Sequence, residues 1–296
     1  MNSIIRGFFQ SICRLYFFKS GCGTIANKKF FRNLSQTQEP LVLTKLRDGS
    51  SIYVSLDQYI GRAIYYFGEL DPKITWVCQN ILRPGDTVID IGANVGLITL
   101  YAAKLVGSSG KIHAFEPQPN LVQLLKKSVT INEYEQVVIH QVALSDQDGI
   151  MNMQVPIDNS GAASLGKKKN KASYTIDVEV KNATQYLSSL NLDKIRLIKI
   201  DVEGHEAIVL KGAKYFLESH KPDIILFEEH KKPLLKQESV KFLQNMNYII
   251  YELPKAKFKI QPHRLTTKSN YLSHDCIAIH QNAYNERLVK SLNLID

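Results

Sequence analysis

An acid two residues ahead of a spaced pair of glycines, set between a short apolar run and an apolar helix pattern, constrains this chain most. The stretch is DTVIDIGANVGLITLYAAKLVGSSGKIHAFEP, residues 86–117. Thr87 to Ile91 is too short for a helix and rich in β-branched residues, so it reads as a strand buried on both faces. Helical spacing resumes after Gly96 through Leu97, Leu100, Tyr101 and Leu105. Ser108-Ser109-Gly110 ends that helix, and Lys111 to Phe115 makes a second strand closing on Glu116. The sum is a βαβ unit with a glycine turn, and Glu116 follows the turn where a ribose-binding carboxylate belongs.

The turn also selects its ligand. A dinucleotide site needs G-x-G-x-x-G so that a pyrophosphate can rest on bare backbone. Here Gly92 and Gly96 flank Ala93, Asn94 and Val95, and Asp90 stands just before them. A carboxylate at Asp90 repels a pyrophosphate and suits a ligand with amine and sulfonium charges. S-adenosylmethionine is such a ligand, with a ribose diol for Glu116 and no phosphate.

Ahead of this unit, residues 1–18 place Ile4, Ile5, Phe8, Phe9, Ile12, Leu15 and Tyr16 on one helical face, with Arg6, Gln10 and Arg14 off it. The pattern is too interrupted for a transmembrane span. Packing against its own domain is the ordinary fate of such a helix; peripheral contact with an anionic membrane is the alternative. The net charge is +9, and more than half of it lies in the first forty residues, where six basic side chains face Glu39 alone. Residues 19–38 read as a loose polar connector. Two short runs around Arg47-Asp48-Gly49-Ser50 read as a hairpin, and 58–82 mainly as helix. Residues 1–82 thus form a support and lid, and 83–296 the cofactor domain. Cys13, Cys22, Cys78 and Cys276 lack ligand-like spacing and imply a reducing, cytoplasmic setting.

Beyond the unit, a third strand over 136–142 opens into Ala143-Leu144-Ser145-Asp146, where Ser145 or Asp146 can accept from an adenine amino group. A hairpin follows, carrying Lys167-Lys168-Lys169-Asn170-Lys171, a solvated run or a clamp on an anionic substrate. Leu197 to Ile200 is a buried strand ending in Asp201, with Glu203, His205 and Glu206 close behind and a helix from His205 to Leu217. Residues 223–227 form a fifth strand leading into Glu228-Glu229-His230, and two more strands lie at 248–252 and 276–280. Carboxylates and a histidine at neighbouring strand tips suit either a hard divalent ion or general acid–base work.

PGDTVIDIGANVG, AFEPQP, ALSDQDG, SGAASL and LIKIDVEGHEAIVLKGA together resemble the FkbM family of S-adenosylmethionine-dependent methyltransferases, from about Pro84 to Ala213. The resemblance implies a Rossmann-like class I methyltransferase fold: α/β, a doubly wound, seven-stranded, mostly parallel sheet, here with an N-terminal helix and hairpin extension. It implies that Asp90, Gly92, Asn94, Gly96 and Glu116 hold the cofactor, with Ser145 and Asp146 near adenine and Asp201 to Gly204 beside the reacting groups. The implied reaction is O-methylation of a sugar, glycan or secondary-metabolite hydroxyl. Asp201 and His205 are the candidate bases, with Glu229 second and Glu203 adjoining. An RNA methyltransferase is the rival reading, favoured by +9. Against it, the excess charge sits in the tail and no Asn-Pro-Pro-aromatic sequence occurs, so no nucleic-acid partner is expected. A non-catalytic protein that keeps only the donor pocket is the other rival.

Overall fold

A strand with no polar face can lie only inside a sheet covered on both sides, and all five residues of Thr87–Ile91 are buried. The structure, a computed structural model, describes residues 2–165, 172–267 and 273–295. Ahead of that strand run helices α1 (Asn2–Arg14), α2 (Cys22–Ala26) and α3 (Lys29–Leu34), strands β1 (Leu41–Lys45) and β2 (Ser51–Ser55), then α4 (Tyr59–Phe67) and α5 (Pro72–Ile81). The central unit is β3 (Thr87–Ile91), α6 (Leu97–Val106), β4 (Lys111–Phe115), α7 (Pro119–Ile131) and β5 (Val137–His140). Next come β6 (Ala143–Ser145), β7 (Gly149–Pro156), β8 (Ser164–Leu165), β9 (Ser173–Asn182) and α8 (Ala183–Ser189). The chain closes with β10 (Leu197–Ile200), α9 (Glu206–Gly212), α10 (Lys214–His220), β11 (Ile224–Glu228), α11 (Glu238–Asn245), β12 (Tyr248–Glu252), β13 (His263–Arg264), β14 (Asp275–His280) and α12 (Glu286–Ser291).

The main sheet has the order β13-β12-β14-β11-β10-β3-β4-β5. Strands β11, β10, β3, β4 and β5 pair in parallel, and β14 runs against both its neighbours. The seven expected strands are all there, and the two-residue β13 adds an eighth at the edge. From β3 the chain winds one way through β4 and β5, then returns to β10 on the other side of β3. The carboxyl ends of β3 and β10 therefore form the crevice where such sheets hold ligands. A second sheet, β6-β9-β7-β8, contains the expected hairpin. The lysine run after it lies outside the described residues.

Val88 belongs to one apolar cluster and its neighbour Ile89 to another, so the sheet is covered on both faces. The first cluster extends from Cys13 through Ile64, Leu100 and Ile277 to Leu292. Residues 1–82 are thus the cover of one sheet face and share its core; the division at residue 82 marks a change of role along the chain.

Two expectations for the flanking segments need correction, and a third gains a break. The presumed connector 19–38 contains α2 and α3, five- and six-residue helices too short to show periodicity. Cys22 and Ala26 are fully buried, and Asn27 Nδ2 donates to Tyr59 O at 3.1 Å. Residues 58–82 are mainly helix, as expected, in two pieces: Gly68 takes φ 68° to end α4, and Asp71 caps α5 by accepting from Lys73 N. The helix after His205 likewise divides into α9 and α10 at Ala213.

Helix α1 turns both apolar and polar residues inward: Cys13 is buried, and Phe9, with Tyr16 just beyond the helix, packs against the core. Its polar residues face the protein: Gln10 Nε2 donates to Thr44 Oγ1 and Tyr65 O, and Arg14 donates to Lys45 O, Thr44 Oγ1 and Tyr65 O. Ile4, Phe8, Ile12 and Leu15 face outward. No helix among the described residues is long and apolar enough to cross a membrane.

The seating of α4 on β2 depends on one missing side chain. A Cβ at Gly61 would lie 1.9 Å from Ser55 O, a backbone atom that cannot turn aside. Gly61→Ala is expected to cost about 1–3 kcal/mol, read as a lowered melting temperature. Gly7→Ala, where nothing lies within 4 Å, is the control and should leave the melt unchanged or slightly raised.

Candidate active site

At the divergence of β3 and β10 the crevice deepens into a cavity of about 550 Å³, within the range of small-molecule sites. The glycine turn forms its floor. Gly92 has φ 80°, and a Cβ there would meet Asp201 O at 2.0 Å, so the turn after β3 lies directly against the tip of β10. Asn94 and Gly96 continue the turn with φ 54° and 95°. Glu116, at the end of β4, is buried; its Oε2 accepts from Asn94 N and its Oε1 from Gln118 N, both at 2.9 Å. Burial pushes Glu116 up to about 7, although these two bonds pull the other way. An ionised carboxylate offers about four acceptor directions, so two remain for a diol. A buried acid at a strand tip, over a turn without side-chain bulk, fits the adenosyl group of S-adenosylmethionine.

Asp90 departs from expectation. It is completely buried behind Gly92, accepts from Thr99 Oγ1 at 2.7 Å, and lies 3.2 Å from Lys199 Nζ. Its charge meets that ammonium and is not offered to a ligand cation. Lys199 also donates to Gly92 O at 2.7 Å and lies 3.6 Å from Asp201 Oδ2. Burial would lower the Lys199 pKa, but Asp90 and Asp201 outweigh it and push it up to about 12. Sequence reasoning passed over Lys199. The available signal was a lysine inside an otherwise apolar strand, in register with the one acid of β3.

The loop after β10 sorts its acids by role. Glu206 is buried, and its Oε1 accepts from Val202 N at 3.1 Å and Gly204 N at 3.0 Å, holding a turn in which Glu203 takes φ 54°. Asp201 and Glu203 line the cavity. His205 is buried with Nε2 2.9 Å from Ser145 Oγ, and Ser145 in turn donates to Asp146 Oδ1 at 3.2 Å. Burial pulls the His205 pKa down against the pull of Asp146. The nearby cavity wall is Val142, Ala143, Leu144 and His205, while Ser145 and Asp146 do not line it; Ser145 is held by His205.

Glu229 is displaced by one residue from the position sought. Its carboxylate accepts from Lys231 N at 3.0 Å and Ser239 Oγ at 2.6 Å, which fixes the approach to α11. The carboxyl in the cavity is Glu228, the last residue of β11, with Oε2 3.1 Å from His230 Nε2. Burial, then Asp201, Asp275 and Glu203, push Glu228 up to about 9. Asp275 lies 2.7 Å from Lys73, which ties β14 to α5. His274 also lines the cavity, with a buried Nδ1 that has no hydrogen-bond partner. Among the described residues no three His, Cys, Asp or Glu side chains converge as metal ligands. With Glu229 turned to Ser239, the trio of Asp201, Glu229 and His230 does not assemble. The N-terminal cover contributes wall as well, through Gly21, Thr24, Ile60 and Lys73.

Residues 90–250, more than half of the chain, match the family model described as the methyltransferase FkbM domain. Among curated relatives, the 31-O-demethyl-FK506 methyltransferase FkbM of Streptomyces tacrolimicus is 30% identical over 183 residues, covering 52% of this chain and 70% of the relative. The hexuronic acid methyltransferase AglP of Haloferax volcanii is 26% identical over 134 residues, 45% of this chain and 52% of the relative. The ribosomal RNA large subunit methyltransferase E of Sorangium cellulosum is 31% identical over 121 residues, 38% of this chain and 55% of the relative. The chain spans 55–59% of the length of the first-ranked curated relatives.

Two stability measurements follow from this geometry. Lys199→Met leaves Asp90 buried without its cation and should cost about 3–5 kcal/mol in denaturant unfolding, whereas adding Asp90→Asn should recover part of the loss. Additive losses in the double variant would mean that the pair does not interact. Glu228 holds a proton when folded that an unfolded chain releases near 4.5, so its contribution to stability falls as pH rises from about 4.5 to about 9. Glu228→Gln should remove that slope and gain on the wild type as pH increases.

Proposed function

The chain belongs to the FkbM family of S-adenosylmethionine-dependent methyltransferases, and from that premise we propose that it methylates a hydroxyl of a sugar or hydroxylated metabolite. The observation that carries this reading is that one cavity brings together a bare glycine turn with a buried acid and a group of ionisable side chains at the tips of β10 and β11. Gly92, Asn94 and Glu116 make up the first group, and Asp201, Glu228 and His274 the second.

In this reading Glu116 accepts the ribose hydroxyls, and the Gly92–Gly96 turn admits the adenosyl group without side-chain interference. S-adenosylmethionine supplies an activated methyl group when bound, so the protein's own work is alignment, exclusion of water and removal of one proton. Alignment is worth roughly 7–11 kcal/mol of barrier and a positioned base about 10²–10⁴-fold in rate. Asp201 is the proton acceptor: its side chain is 49% exposed at the rim, and Lys199 beside it fixes its place. Glu228 retains its proton at neutral pH, so its O–H donates to an acceptor oxygen while its carbonyl oxygen accepts from a neighbouring hydroxyl. His205 braces the donor-side wall through Ser145 and is a positioning residue. Polyhydroxylated acceptors suit a mouth of alternating donors and acceptors. The names of two relatives, which act on 31-O-demethyl-FK506 and on hexuronic acid, support the same class. The relative named for ribosomal RNA keeps the RNA reading in view, but the acids at the acceptor end repel a phosphate backbone.

The test pairs ligand binding with transfer. S-adenosylhomocysteine affinity, measured by calorimetry, should rise roughly tenfold between about pH 6 and pH 8 as Glu116 ionises, and Glu116→Gln should abolish that rise. With labelled donor and a panel of glycans and hydroxylated metabolites, Asp201→Asn should keep S-adenosylhomocysteine affinity within a few-fold while losing about 10²–10⁴ in rate. Transfer at the wild-type rate by Asp201→Asn removes Asp201 from the reaction, and methylation confined to RNA overturns the acceptor class.

A further inference from the structure

The outward side of α1 carries an apolar stripe. Ile4, Phe8, Ile12 and Leu15 follow helical spacing on one side and are 78%, 62%, 48% and 79% exposed. The helix cannot roll to hide them, because Gln10 and Arg14 are bonded to β1 and α4 on its other side. The stripe continues beyond the helix into Phe17 and Phe258, 66% and 69% exposed and 6.3 Å apart, where Lys19 N donates to Lys257 O at 2.8 Å. At its other margin Phe30 packs on Phe9 with ring centres 4.9 Å apart.

Charge decides what covers this surface. Lys257 and Lys259 flank Phe258, and Lys28, Lys29 and Arg32 flank Phe30, all exposed. Residues 1–38 and 253–265 contain no Asp or Glu at all. A second copy of the chain would set this basic rim against itself, since a two-fold interface is self-complementary. An apolar stripe with an aromatic end and a basic border matches the interfacial layer of an anionic bilayer. We infer that this face docks the protein on an anionic lipid surface, with the α1 stripe and Phe17–Phe258 in the interface and the lysines on the headgroups. Ser20, Gly21, Gly23 and Thr24, which follow α1, and Lys255, which precedes Lys257, line the cavity. Docking therefore places the mouth beside the headgroups, where an acceptor anchored on a lipid meets it; this last step alone rests on the function proposed above.

Vesicle co-sedimentation of the full chain, without any methyl transfer, tests the docking. The wild type is expected to sediment with phosphatidylcholine–phosphatidylglycerol vesicles but not with phosphatidylcholine alone, and to detach as salt rises. Phe8→Ser/Leu15→Ser and Lys257→Glu/Lys259→Glu should each weaken association by on the order of tenfold or more, with melting temperature and S-adenosylhomocysteine affinity unchanged. Absence of association by the folded wild type overturns the inference, as does wild-type association by both variants. A wild-type dimer that Phe8→Ser/Leu15→Ser splits into monomers also overturns it, by making the face an interface between copies.

Discussion

A protonated amine shut away from water must be surrounded by oxygen, and the site is arranged around that requirement at Lys199. Its ammonium touches Asp90 on β3, the carbonyl of Gly92 in the turn and Asp201 at the tip of its own strand. These groups lie at the one place where the strand order reverses, so satisfying the ion also fixes the spacing between donor turn and acceptor rim. Removing the lysine would leave a buried carboxylate whose desolvation nothing offsets. The close approach of Gly92 to Asp201 O is the steric counterpart of the same contact. Electrostatics draws the two loops together, and the missing Cβ lets them touch.

The acceptor end works under the opposite condition. Asp201, Glu203, Glu228 and Asp275 bring negative charge into a partly enclosed space, and Lys73 and Lys199 answer only some of it. The cluster settles by keeping a proton on Glu228, while Asp275 is held against Lys73. The donor part of the cavity thus offers bare backbone and one buried acid, Glu116, and the acceptor part a set of acids in mixed protonation states. That asymmetry gives a hydroxyl acceptor both a donor and an acceptor of hydrogen bonds at neutral pH.

The parallel sheet was legible because its strands are continuous apolar runs with tips marked by acids, and the glycine turn carried its own spacing. What escaped was whatever depended on a partner distant in sequence. Asp90 reads as a free charge until Lys199, more than a hundred residues away, is placed beside it. Glu228 and Glu229 are indistinguishable in sequence, and only the register of β11 against β14 decides which of them enters the cavity. The period of α1 was visible, but not which side faces the protein, since hydrophobicity alone predicts the reverse of what Gln10 and Arg14 do. Helices α2 and α3 are shorter than the window over which any periodicity can be seen.

The shared apolar cluster has a consequence for how the chain comes to be folded in a cell. Cys13, Ile52 and Ile64 are buried with Ile277, Leu288 and Leu292. At a synthesis rate of roughly 5–20 residues per second, the earliest of these wait about 15–55 s for the last to emerge. Through that interval the N-terminal elements have a surface built to cover a sheet and no sheet to cover. The nascent chain is therefore a long-lived client for whatever shields apolar segments at the ribosome exit, and its dependence on such shielding grows as translation slows.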